Sequence, residues 1–355
     1  MVSIHDFDAI ESLRHRHKLD RQFVRRLRTA FYKKQQPVSA ALAELPEAAR
    51  ADFAAEVDFH PLELASRHDS QLDGATKLIF RTAAGLLLES VVLRLASGRT
   101  ALCVSTQVGC AAKCDFCATG KMGIARNLSA AEILDQLVQA NELLLVEGRS
   151  VRNLVFMGMG EPFHNEEQLH LALEVLSDSR AFNLNMKRTM ISTVGIPEAM
   201  IRCAQRWPEV RMALSLHSAR PDVRKQLMPI SQRHGLDELR GALEQVIAIQ
   251  QHEVMIEYLM LAGVNDTDAD VAALIHYLAG LPVHINLIPY NAIDDAPHLT
   301  GTGPERREEF SAALKGAGFP VTTRYSLGSD IAAACGQLVR SENRARGMAS
   351  NTPPA

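Results

Sequence analysis

The sequence is short of several things at once. Aromatic residues fill 5% of its 355 positions, with a single tryptophan, and it holds only six cysteines. No stretch approaches the ~20 uninterrupted apolar residues that cross a bilayer, and Met1 to Asp8 shows no basic segment leading into an apolar run. The expectation is a cytoplasmic protein without a membrane partner. A formal charge of −3 argues against a chain that is basic all over, so any nucleic-acid contact must come from a local patch. In a reducing compartment, clustered cysteines serve metal binding or catalysis rather than a disulfide framework.

The cysteines are clustered. Four of the six fall within residues 103–117, and Cys110, Cys114 and Cys117 have the spacing C-x3-C-x2-C. Three thiolates on one short loop can converge on a soft metal site while leaving one ligand position open for chemistry. A zinc knuckle would need a fourth Cys or His at typical spacing. The nearest, Cys103, sits on the preceding strand. A 4Fe-4S cluster with one iron open to substrate accounts for three ligands without a missing fourth, and it is the preferred reading.

The rest of the chain is an ordinary globular composition, 47% hydrophobic and 22% charged, long enough for one large domain with a smaller one appended. Residues 9–58 read as helical, with Pro37 interrupting before a second run, Ala40 to Val57. Between Arg14 and Lys34 lie nine Lys or Arg residues against the single acid Asp20. Alone, such a run is a solvated helix face. From Ala75 two β-rich runs, Thr76 to Thr82 and Leu86 to Leu95, flank an Ala84-Gly85 turn and read as a hairpin.

After Thr100 short apolar strands alternate with amphipathic helices. The strands are expected at 101–107, 153–159, 189–194, 210–217, 254–261 and 284–290. Among the helices, 129–147 opens with a Ser129/Glu132 capping box. Buried, non-alternating strands in six successive βα units imply a parallel sheet with helices outside, and the α/β fold expected is a partial (β/α)6 barrel. The domains expected are a helical accessory domain at 1–75, a β-hairpin extension at 76–99, the barrel core at 100–346 and a disordered tail at 347–355.

In such a barrel the chemistry sits at the carboxyl ends of the strands. The cysteine loop follows the first strand, Gly158-Met-Gly-Glu161 ends the second, Ser192 the third, Ser215-Leu-His217 the fourth and Asn291 the sixth. A lone strand-end Ser or His is usually a satisfied structural residue, but several around one metal loop are harder to dismiss. The glycines before Glu161 would let a ligand approach the backbone, and the carboxylate could hold an ammonium group.

These features together resemble the radical S-adenosylmethionine enzymes, and residues from about 86 to 340 are similar to the RlmN/Cfr family of RNA adenine methyltransferases. The matching stretches are Cys103-Val-Ser-Thr-Gln-Val-Gly-Cys110, Phe156-Met-Gly-Met-Gly-Glu161, Ser192-Thr-Val-Gly-Ile196, Leu214-Ser-Leu-His217, Gly263-Val-Asn-Asp266, Asn286-Leu-Ile-Pro-Tyr-Asn291 and Asp330-Ile-Ala-Ala-Ala-Cys-Gly-Gln337. Cys117-Ala-Thr-Gly and Leu216-His-Ser-Ala resemble Cfr; Met159-Gly-Glu-Pro162 and Ile288-Pro-Tyr-Asn resemble RlmN.

The resemblance implies roles. Cys110, Cys114 and Cys117 would hold one 4Fe-4S cluster. Gly160, Glu161, Ser192, Ser215, Leu216, His217 and Asn291 would line the site for S-adenosylmethionine, two of which are used per turnover. One methylates Cys335; the other, split by reduction, yields the radical that activates that methyl group for addition to an electron-poor ring carbon of adenine. Glu89 would then remove the proton from the base, and Cys103 would attack Cys335 to form a disulfide that frees the product. The implied activity is methylation of carbon 2 of adenosine, with carbon 8 as the alternative, in 23S ribosomal RNA and also transfer RNA. A monomer served by an electron donor such as flavodoxin is expected, and the basic run 14–34 becomes a phosphate-contacting face. Two other readings stay open: a radical S-adenosylmethionine enzyme acting on a small molecule or peptide, and a zinc-stabilised RNA-binding protein without catalysis.

Overall fold

A computed structural model describes residues 1–123, 125–325 and 327–337. Its centre is an open ten-stranded sheet whose strands lie side by side in chain order. These are β1 (Leu62–Asp69), β2 (Ala75–Thr82), β3 (Leu87–Arg94), β4 (Thr100–Cys103), β5 (Asn153–Phe156), β6 (Thr189–Thr193), β7 (Arg211–Ser215), β8 (Val254–Met260), β9 (Val283–Pro289) and β10 (Val321–Thr323). The first four pair antiparallel, and from β4 onward every pairing is parallel. Helices α1 (Ala130–Leu145), α2 (Glu166–Ser177), α3 (Pro197–Arg206), α4 (Pro221–Leu227), α5 (Leu236–Gln250), α6 (Asp268–Leu278) and α7 (Pro304–Gly316) supply the crossovers. Parallel neighbours demand such connections, and all of these helices except α4 bury their apolar residues in one core with the strands.

The local signals explain the elements. The Ser129/Glu132 capping box is formed, and Thr267/Asp270 repeats it at α6, each satisfying orphan N–H groups at a helix start. Met212, Ala213 and Leu214 of β7 are all essentially inaccessible, as are Ile256 and Tyr258 of β8, so the inner strands are sandwiched on both faces.

Three boundaries differ from the sequence reading. The run Ala40 to Val57 is not one helix: Pro46 stops it, giving Val38–Leu42 and Glu47–Glu56, because proline cannot donate within a helix and restricts the residue before it. Strand β4 ends at Cys103; Gln107–Gly109 leaves the sheet to pair with Ala125–Asn127. The hairpin β2–β3 is built into the main sheet, and β1, drawn from the segment 1–75, extends it further. The tail expected at 347–355 lies outside the described residues, as do 338–346.

The N-terminal helices keep their own core around Ile10, Leu13, Leu27, Phe31 and Phe53, which meets the barrel at Val138 and Ala181. His60 Nδ1 and the Leu62 N–H both reach the buried Asp135 carboxylate of α1, at 2.7 and 3.0 Å. Among the described residues no helix is long and apolar enough to span a membrane.

Candidate active site

The parallel strands converge with their carboxyl ends on one cavity of about 620 Å³, within the range of small-ligand sites. Cys110, Cys114 and Cys117 line it together with Gly160, Glu161, Ser192, Ser215, His217, Cys103 and Cys335. Leu216, Asn291 and Glu89 do not contribute to the lining. Leu216 is fully buried in the core, with its carbonyl turned to Arg224 at 3.2 Å. Asn291 donates through its amide to the Cys335 carbonyl at 3.1 Å. Glu89 is completely buried on β3, on the same side of the strand as the cavity residue Val91, with Lys77 Nζ 3.6 Å from its carboxylate.

The cysteine loop is shaped by its backbone. Lys113 adopts φ 54°, turning the chain between Cys110 and Cys114, and the Cys117 and Gly120 N–H groups fold back onto the Cys114 and Cys117 carbonyls. Asp115 anchors the loop from outside: its N–H donates to Leu227 O at 2.9 Å, and its carboxylate pairs with Lys121 and His298. Phe116, between the last two cysteines, sets its ring edge-on to His217 at 4.8 Å. Burial pushes the Cys110 thiol up to about 12 and raises Cys114 and Cys117 as well, so a bound soft metal must displace their protons. Among the described residues no three His, Cys, Asp or Glu side chains close around a single-ion point.

Glycine is required at two strand-end positions, for a reason other than ligand approach. A Cβ on Gly158 would meet Ser105 Oγ and Val104 O at 2.6 Å, and one on Gly160, at φ +101°, would meet Gln107 Cβ at 2.6 Å. The close neighbour is the chain itself. Glu161 is likewise committed to the protein. Its Oε1 accepts from the Phe163 N–H (3.0 Å) and Thr193 Oγ1 (2.8 Å), and its Oε2 from the Val194 N–H (2.8 Å). Burial raises its pKa to about 7 against those bonds. A carboxylate offers about four acceptor positions, so one remains for a ligand on Oε2.

His217 is neutral: burial pulls it down to about 3, and the Arg224 guanidinium acts the same way. Its Nδ1 accepts from the Leu259 N–H at 3.0 Å, which fixes the ring against Phe116. Ser192 and Ser215 share a partner that the sequence reading missed. Glu257, buried in the middle of β8, accepts from Ser192 Oγ at 2.8 Å and Ser215 Oγ at 3.2 Å and lines the cavity. Its signal was available: a carboxylate inside the apolar run Val254–Met260 needs a partner. Arg324, after β10, also lines the cavity and was missed.

Cys103 and Cys335 are brought to the same cavity although most of the barrel separates them in sequence. All six cysteines are free, so the disulfide implied by resemblance is not formed here: Cys103 is buried at the end of β4, whereas Cys335 is exposed on its loop. Burial, reinforced by neighbouring Cys335, pushes the Cys103 thiol up to about 12, and Arg324 opposes the shift. The Cys335 loop touches the cysteine loop directly, through the Ala118 N–H donating to Gly336 O at 2.8 Å.

The residues fit an iron–sulfur cluster. A buried guanidinium, Arg224, close enough to Cys114 for the two to act on each other electrostatically, has an Nη1 with no hydrogen-bond partner among the described residues, a positive charge that suits an anionic thiolate-bound cluster. Three thiols open to a cavity ringed by acceptors and hydroxyls are consistent with a radical S-adenosylmethionine enzyme, and the Radical SAM superfamily model matches residues 104–276. A protein of Rhodopirellula baltica described as a probable RNA methyltransferase is 49% identical over 347 residues, 98% of this chain and 90% of its own. A dual-specificity RNA methyltransferase RlmN of Desulfotalea psychrophila is 40% identical, with 76% of each chain covered. A radical SAM methyltransferase of Sphaerobacter thermophilus superposes with TM-score 0.91 at 36% identity, covering 95% of this chain and 99% of that one. The chain belongs to the RlmN/Cfr family of radical S-adenosylmethionine RNA methyltransferases.

Proposed function

We propose that the protein methylates carbon 2 of an adenosine in 23S ribosomal RNA, with transfer RNA as a second substrate, through a methyl group carried on Cys335. The observation that carries this reading is the hydrogen bond from Ala118 to Gly336, which places the loop bearing Cys335 against the loop bearing the three cysteines, with Cys103 on the wall of the same cavity. A methyl carrier must lie beside the site that activates it and within reach of the thiol that releases the product. A 4Fe-4S cluster, when bound by Cys110, Cys114 and Cys117, supplies the electron that gives S-adenosylmethionine access to radical chemistry.

The chain's own residues do the rest. Glu161 keeps one acceptor position for an ammonium group, and Gly160 brings the backbone beside it. The Glu257 carboxylate aligns the Ser192 and Ser215 hydroxyls, and its negative charge favours a cationic ligand. The two S-adenosylmethionine molecules of one turnover use this pocket in succession. Cys103 attacks the sulfur of Cys335, forming a transient disulfide as the bond from that sulfur to the base-bound methylene breaks and its electron pair goes to the product; Glu89, buried beside Lys77 and one step behind the cavity lining, takes the proton from the base on the strength of the resemblance.

RNA contact falls on fewer residues than the basic run contains. Arg14 and Arg21 pair with Glu11, Arg16 with Glu56 and Arg26 with Glu44, and Arg28 lies over the Phe7 ring. Lys18, Arg25, Lys33 and Lys34 remain exposed and are the phosphate contacts in this reading. The enzyme acts as a monomer in the cytoplasm, with an electron donor of the flavodoxin type.

The test is mass spectrometry of ribosomal and transfer RNA digested after incubation with the reconstituted enzyme. A methyladenosine modified at carbon 2 is expected, absent with Cys335→Ala. Methylation by Cys335→Ala overturns the carrier role, and methylation at carbon 8 overturns the choice of position.

A further inference from the structure

Arg224, on α4, is 1% exposed. Its Nε donates to Leu216 O at 3.2 Å and its Nη2 to Val194 O at 2.7 Å, so two strand-end loops hold the fork in place. Nη1 has no partner. The groups that favour its charge are Tyr277 and Cys114, not a carboxylate, while burial pulls its pKa down to about 10. A buried charge without an opposite charge is among the costliest features a fold can hold. An arginine kept in that condition marks a place where an anion belongs.

The surroundings indicate which anion. Helix α4 docks on the cysteine loop: Leu227 O accepts the Asp115 N–H at 2.9 Å, and Val223, Leu227 and Met228 pack with Ala112, Cys114 and Ala118. Arg224 does not line the cavity, so it does not meet substrate. His217, also against this region, is neutral and cannot share the task.

Given the cluster reading above, we propose that Arg224 is the fixed counter-charge of the cluster, a positioning residue behind Cys114 that raises the cluster's reduction potential. The reasoning is Coulombic. Reduction adds one negative charge to a site already carrying three thiolates, and a nearby cation in a low-dielectric setting stabilises the reduced form more than the oxidised one.

The test is an electron-paramagnetic-resonance redox titration of the anaerobically reconstituted wild type, Arg224→Gln and Arg224→Lys. Glutamine keeps amide donors for the Val194 and Leu216 carbonyls without the charge; lysine keeps the charge without the fork. Arg224→Gln is expected to lower the potential by at least tenfold in the reduction equilibrium, 59 mV for a one-electron couple, with Arg224→Lys close to wild type. If Arg224→Gln fails to retain iron while Arg224→Lys retains it, the counter-charge is supported on loading instead. Equal potentials in wild type and a fully loaded Arg224→Gln overturn the proposal, as does equal loss of iron in both variants, which assigns Arg224 to holding the loops. A wild type that binds no iron overturns the cluster reading itself, and is recognised before any variant is compared.

Discussion

Replacing Gly160 by alanine tests whether the second strand end is built by packing within the chain. Gly160 has φ +101°, and an added Cβ would lie 2.6 Å from Gln107 Cβ, 2.7 Å from its Cγ and 2.9 Å from its backbone nitrogen. Holding a non-glycine residue in that backbone region costs about 1–3 kcal/mol. Overpacking adds about 1–3 kcal/mol, because one of the three atoms is backbone and cannot rotate away. The sum is about 2–6 kcal/mol. At roughly 2 °C per kcal/mol for a large domain, the melting temperature of the metal-free protein falls by about 4–12 °C. Displacing Gln107 also removes the acceptor of the Glu161 N–H, now 2.9 Å away, so binding of S-adenosylmethionine weakens together with stability. Gly241, inside α5, is the control: nothing lies within 4 Å of its added Cβ, and Gly241→Ala gains about 0.5–1 kcal/mol of helix stability. Differential scanning fluorimetry of both variants decides the matter. A Gly160→Ala protein melting within 2 °C of wild type refutes the packing argument.

Other perturbations have equally definite outcomes. Lys77→Met removes the ammonium 3.6 Å from the fully buried Glu89 carboxylate and costs about 1.5–3 kcal/mol, whereas Lys77→Arg restores most of it; urea titration reads both. Because Lys77 Nζ also donates to Ala332 O at 3.2 Å, Lys77→Met speeds amide exchange in 328–337, and an unchanged rate there counts against the contact. His60 has its pKa raised to about 10, with burial opposing but the Asp135 and Glu142 carboxylates prevailing. A raised histidine pKa gives stability that is complete below the unfolded value and lost as pH rises through the folded one. Wild type therefore loses stability between about pH 6.5 and 10 while His60→Gln shows a flatter profile over that window, and parallel profiles defeat the assignment. Glu257→Gln removes the charge facing Ser192 and Ser215 and weakens S-adenosylmethionine binding about tenfold by calorimetry, with little change in melting; undiminished affinity excludes Glu257 from the ligand site.

How much of this could be read beforehand depended on whether a feature is local in sequence. The six βα units show as short apolar runs spaced by amphipathic segments, and the cysteine loop as three thiols within eight residues, because both signals lie within a single window. The strand ends were found for the same reason. Their roles were less legible. Gly158 and Gly160 looked like places for a ligand, yet the atoms nearest their missing side chains are Ser105, Val104 and Gln107 of the neighbouring segment, a relation set only by strand pairing. Glu257 was overlooked inside an apolar strand because its partners, Ser192 and Ser215, lie on two other strands. Nothing in the sequence singles out Arg224; its burial depends on how α4 packs on the cysteine loop through Val223 and Leu227. For the basic run 14–34 the sequence window is too narrow, since the acids that pair with part of it, Glu11, Glu44 and Glu56, stand outside its limits.

The position of Cys335 follows from anchors on two different parts of the sheet. On the antiparallel side, Asp330 accepts from Ser70 Oγ at 2.8 Å and the Gln71 N–H at 2.9 Å, Asp73 accepts from the Gly328 N–H at 2.8 Å, and Lys77 holds the Ala332 carbonyl. On the parallel side, Asn291 reaches the Cys335 carbonyl, Gln337 the Ala292 carbonyl, and Ala118 the Gly336 carbonyl. The backbone of Cys335 is thereby fixed while its side chain stays exposed. In the proposed reaction that sulfur would first receive a methyl group and later meet buried Cys103, which calls for freedom at the side chain more than at the backbone. The anchors also explain why the β1–β3 extension belongs to the catalytic unit: without Ser70, Asp73 and Lys77 the loop would keep only its contacts to the barrel, and the wall facing Cys103 would be unsupported.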